Sequence, residues 1–118
     1  MTEKSIHKEI SQHGKRNREL RSNFEQKQVD LVEARPIEFQ FWARSQRDAA
    51  VLARVLYEMG FLIRLLSPTP AAGDAERWAI EAGAKIPLER ALGSELTEKL
   101  VRLASKEDAI FDGWGATV

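Results

Sequence analysis

The tightest constraint in this sequence is a change of period. In "PIEFQFWA", residues 36–43, Ile37, Phe39 and Phe41 alternate with Glu38, Gln40 and Trp42, which is the period-two pattern of a strand with one buried face. "SQRDAAVLARVLYEMG" follows at once and places Leu52, Val55, Leu56 and Met59 at helical spacing. Ser45 is its N-cap with Asp48 completing a capping-box-like pair, and Gly60 supplies its stop. A strand that runs straight into a helix predicts a crossover back to the same sheet after Gly60.

The pattern then switches twice more. "FLIRLLS" reads as a second strand, with Phe61, Ile63 and Leu65 on one face, and "PTPAAGDA" as an open connection rich in turn residues. "ERWAIEAGAKI" reads as a third strand in which Trp78 and Ile80 alternate against Arg77 and Glu81, with Gly83 at a bulge or at the strand's end. A short turn over 88–92 precedes a helix capped by Ser94, with Leu96, Leu100 and Leu103 facing inward. "AIFDGWG" is a last short strand, ended by Asp112-Gly113. The order β-α-β-β-α-β predicts an α+β, ferredoxin-like sandwich: a four-stranded antiparallel sheet with two helices on one face. Right-handed crossovers put the first and third strands in the centre and the last on an edge. The other sheet face is open unless an N-terminal helix or a second subunit covers it.

Residues 1–35 differ from the rest, with no proline, one glycine and many Lys, Arg, Glu, Gln and Asn. Ile6, Ile10, His13, Asn17, Leu20, Phe24 and Leu31 fall near one helical stripe, although His13 and Asn17 interrupt it with polar groups. The division expected is an N-terminal arm and amphipathic helix over 1–35, strongest over 15–33 with a weakly ordered 1–14, and a domain over 36–118.

Composition removes several classes of chemistry. The chain of 118 residues has no cysteine, so disulfides, thiolate metal sites and a Cys nucleophile are excluded. His7 and His13 are six apart, where a helical chelating pair needs three or four. There is no phosphate-binding glycine loop and no serine in a nucleophile-elbow context. The polar start "MTEKSIHKEI" is unlike a signal peptide, and no apolar run reaches the roughly 20 residues of a membrane span. The reading is a cytoplasmic protein with no metal site and no catalytic centre.

Lys plus Arg balances Asp plus Glu at 18 each, so bulk charge selects no partner. Six bases (Lys4, Lys8, Lys15, Arg16, Arg18, Arg21) against two acids over 4–21 could touch phosphate. Trp42 points away from Phe39 and Phe41 and so belongs on the open face, where Trp78 would join it only if the register shifted by one residue. The third strand lacks the basic-Gly-aromatic run of sheets that stack RNA bases, and Glu38 and Gln40 beside Trp42 would not attract phosphate. Trp114, set between Gly113 and Gly115, either closes the core or anchors a partner.

"KLVRLASKEDAIFDGWGATV" resembles the ending of the RraB family, regulators of ribonuclease E, on Leu100, Leu103, Ala104, Phe111, Asp112, Gly113, Trp114 and Gly115. "SQRDAAVLARVLYEMGF" is similar to the family's first helix. The resemblance implies a non-catalytic inhibitor that binds ribonuclease E, without a cofactor. On that reading Asp112, Trp114, Trp42, Glu76 and Glu81 are the candidate partner-binding residues, and a homodimer is open. The alternative is direct RNA binding through the sheet aromatics and Lys15, Arg16, Arg18 and Arg21.

Overall fold

The computed structural model of the chain describes residues 2–69 and 77–118. The elements run α1 (Glu3–Gln26), β1 (Ala34–Ala43), α2 (Gln46–Glu58), β2 (Leu62–Thr69), β3 (Arg77–Pro87), α3 (Leu88–Leu92), α4 (Ser94–Lys106) and β4 (Ala109–Ala116). The strands form one sheet in the order β2-β3-β1-β4, antiparallel at every pairing. This is the α+β, ferredoxin-like arrangement, with β1 and β3 central and β4 on an edge.

The apolar set of β1 makes the core. Ile37, Phe39 and Phe41 are buried against Leu52 and Leu56 of α2, Ile80 of β3 and Leu100 and Val101 of α4. The α2 boundaries follow the sequence signals. Ser45 Oγ accepts the Asp48 backbone N–H at 3.1 Å, and Gly60 takes a φ of 101°, which lets the chain leave the helix.

Four local expectations are corrected. Alternation in β2 breaks because its register with β3 shifts between Ile63 and Leu65. Leu65 therefore pairs with Glu81 on the bare face, away from buried Phe61. Gly83 neither bulges nor ends β3, which continues to Pro87; a Cβ there would stand 3.3 Å from Arg64 Nε, so the glycine makes room for that side chain. The N-cap of α4 is Gly93, with Ser94 its first residue, because α3 and α4 are separated by that one residue. Asp112-Gly113 lies inside β4, which continues to Ala116.

Helix α1 begins at Glu3, earlier than the sequence suggests. Thr2 Oγ1 accepts the Ser5 N–H at 3.1 Å, and Glu3 bonds Arg102 of α4 at 2.6 Å. Helix order thus reaches back over 3–14, because Ile6 is buried as Asn17 and Phe24 are, with Ile10 and Leu20 half-buried between them. The helix lies against α4 and α3, alongside the helix layer. It does not cover the opposite face of the sheet.

Candidate functional site

Trp114 is where the sequence leaves two roles open, and a β-bulge decides between them. Phe41 pairs with Phe111 and Gln40 with Gly113, so Asp112 is an extra residue in β4. In a regular strand Phe111 and Trp114, three apart, would face opposite sides of the sheet. The bulge turns both toward the helices. Gly113 allows it with a φ of 139°, in the region that disfavours residues with a Cβ.

The ring that results is 5% exposed. Its Nε1–H donates to Asn17 Oδ1 at 3.0 Å, Asn17 Nδ2 donates to Thr97 Oγ1 at 3.1 Å, and the Thr97 hydroxyl donates to the Gly93 carbonyl at 3.1 Å. Arg16 Nη2 donates to the Trp114 carbonyl at 2.8 Å while its guanidinium lies 5.6 Å from the indole centroid. One turn earlier, His13 stacks on Phe111 with 4.7 Å between centroids. Its Nε2 is 3.0 Å from the Phe111 carbonyl, which can only accept, so this nitrogen carries the proton. Burial holds the His13 pKa below its ordinary value, which favours the neutral ring. The two polar interruptions in the α1 stripe are therefore the residues that satisfy β4. Trp114 is an interior closure.

The other sheet face carries a different set. Trp42 pairs with Ala79 and Gln40 with Glu81. The Arg77 guanidinium lies 4.1 Å from the Trp42 ring centroid, a cation–π contact that half-covers the indole. These residues, with Leu65 and the exposed Asp112 of the bulge, line an open hollow of about 360 Å³. Glu38, diagonal to Glu81, is held by Arg64 at 2.9 Å. Desolvation, followed by the hydrogen bond and repulsion from Glu38, raises the Glu81 pKa. The hollow thus offers an aromatic face, a guanidinium and carboxylates in one place, which suits binding a polar or charged surface.

Of the residues proposed from sequence, Trp42, Glu81 and Asp112 converge on this hollow, and Trp114 lies on the far side of the sheet. Glu76 lies outside the described residues. Trp78 pairs with Ala43 and faces the helices, so it does not join Trp42. Arg16 is engaged by Trp114, whereas Lys15 and Arg18 are exposed on α1 in the helix layer, away from the bare face. Sequence reasoning missed Leu65, hidden by the β2 irregularity. It also missed Arg77 as a partner of Trp42, although its alternation with Trp78 already gave its face. Among the described residues no three metal-ligating side chains come together, and no helix is long and apolar enough to cross a membrane.

No curated protein matches the chain by sequence. Residues 15–116, from the middle of α1 to the end of β4, match the family model described as Regulator of ribonuclease activity B. The matched span holds the bulge, the Trp114 closure and the whole bare face, and on that match the chain belongs to the RraB family of ribonuclease regulators.

Proposed function

We propose that the protein is a non-catalytic regulator that binds a ribonuclease, ribonuclease E in the first instance, and lowers its cleavage of RNA. The observation that carries this reading is the convergence of Trp42, Glu81 and Asp112 on one hollow of an uncovered sheet face, within a chain of a ribonuclease-regulating family. A half-covered tryptophan beside charged groups has the composition of an interface hot spot. A protein contact is favoured over an RNA contact, because Glu81 and Asp112 offset the charge of Arg77 in the hollow and the exposed bases of α1 lie in the helix layer.

The test is ribonuclease E cleavage of a model transcript with wild type, Trp42→Ala and a Lys15→Gln/Arg18→Gln/Arg21→Gln triple variant. Trp42→Ala is expected to keep the wild-type melting temperature and lose at least tenfold in inhibitory potency, the loss expected for truncating one hot-spot side chain. The triple variant is expected to inhibit as wild type does. Direct RNA binding that the triple variant abolishes, with no enzyme bound, would overturn the proposal in favour of the nucleic-acid reading.

A further inference from the structure

β2 begins at Leu62, opposite Gly83, so Ala84, Lys85 and Ile86 of β3 run on beyond it. Over that stretch the end of α2, α3 and the first turns of α4 leave a second hollow, of about 340 Å³, on the helix side of the sheet. Its floor is apolar: Phe61 and Leu96 are buried, with Met59, Ala84 and Ile86 half-buried around them. A Cβ on Gly60, which also lines it, would meet nothing within 4 Å, so the mouth is open on that side. About 23 Å of β3 separates Ala84 from Arg77, and so keeps the hollow away from the break in the described chain between Thr69 and Arg77.

Three bases surround this floor, each from a different element: Lys85 of β3, Arg90 of α3 and Lys99 of α4, all exposed. None of the residues lining the hollow is acidic. Elsewhere Arg54, Arg64 and Arg102 each hold a carboxylate, of Glu58, Glu38 and the Glu3 and Glu98 pair. Among the described residues Lys85, Arg90 and Lys99 have no ion pair and no side-chain hydrogen bond. Glu89 and Glu95 lie past Arg90 and Lys99, in an adjoining hollow, and pair with neither. The long stems of the bases reach over apolar ground while their heads stay in water, unopposed. Such a site is complementary to an anionic ligand with an apolar part.

We infer that this hollow docks an acidic peptide segment of a partner protein, with one large apolar side chain on the floor and flanking carboxylates on Lys85, Arg90 and Lys99. The volume stands at the bottom of the roughly 300–1,000 Å³ range of small-molecule pockets. Its charged groups all sit at the rim on flexible stems, so no side chain in the floor orients a compact ligand. Single-stranded RNA would find nothing to stack on, since Phe61, the one ring lining the hollow, is buried. A membrane surface would not reach apolar groups recessed below the charges. A peptide side chain enters such a recess, and its neighbours bring the charge. The hollow shares no residue with the one around Trp42, so a peptide here leaves the bare face open to a ribonuclease.

Fluorescence anisotropy with a dye-tagged heptapeptide, one phenylalanine flanked by glutamates, tests this without any ribonuclease. The purified chain is expected to bind it saturably. A Lys85→Glu/Lys99→Glu variant, with an unchanged melting temperature, is expected to bind at least about tenfold more weakly. The same loss is expected for wild type when alanine replaces the peptide's phenylalanine. Trp42→Ala, on the bare face, and Lys15→Glu/Arg18→Glu, on α1, are expected to bind as wild type does. In amide spectra of the wild-type chain the peptide is expected to move Gly60, Lys85 and Lys99 together, a readout that needs no variant. The inference is overturned by an absence of saturable binding, by indifference to the phenylalanine, or by an equal loss in Lys15→Glu/Arg18→Glu. Tighter binding of a seven-nucleotide RNA, abolished by Lys85→Glu/Lys99→Glu, overturns it in favour of a phosphate site.

Discussion

Trp114 is held by its edge as much as by its face, and the two contributions can be separated by substitution. Trp114→Ala is expected to cost about 3–5 kcal/mol in denaturant unfolding, the range for emptying a buried aromatic site. Trp114→Phe keeps most of the apolar contact but strands Asn17 Oδ1, and about 1–3 kcal/mol is expected from that unsatisfied acceptor alone. Gly113→Ala is expected to lower stability by more than about 1 kcal/mol, since φ 139° has to be kept for the bulge to aim the ring. His13 adds a pH dependence whose sign follows from its lowered pKa. The unfolded chain binds the proton more readily than the folded one, so stability rises with pH from the depressed folded value up to the ordinary value near 6.5 and is lost as pH falls through that window. A His13→Gln variant should flatten the slope of melting temperature against pH over that interval.

At the scale of elements, α1 is part of the core rather than an appendage, since Ile6 and Phe24 lie in the same buried cluster as β1 and α4. Deleting residues 2–26 is accordingly expected to abolish cooperative thermal unfolding, as followed by circular dichroism. The order of elements and the faces of β1 and β3 were legible in the sequence because period-two alternation survives wherever strands pair regularly. It failed at the two irregularities, Ile63/Leu65 in β2 and Asp112 in β4, because a bulge moves every later side chain to the other face and leaves no periodic trace. His13 and Asn17 looked like flaws in a helical stripe for a related reason: their partners lie far away in the chain, and a polar residue on a buried face can be judged only beside what it meets. The candidate site was legible to the same degree. Alternation alone put Trp42 on the bare face, but Trp114 was named beside Glu81 and Asp112 although it lies on the other side, and the gathering of Trp42, Glu81 and Asp112 with Arg77 and Leu65 needed the register.

For the whole molecule, zero net charge sets the expected character of association. Binding to a ribonuclease should change little with ionic strength, because a chain with balanced charge supplies little long-range steering. Titration calorimetry at several salt concentrations checks this; a logarithmic slope of several units would instead signal phosphate contacts. The bonds between α1 and β4 also have a consequence in time. Asn17 finds Trp114 across 97 positions, and Arg16 reaches its carbonyl across 98. Folding therefore has to bring together residues from nearly opposite ends of the sequence before Trp114 gains its hydrogen bonds, and contacts of such separation form slowly.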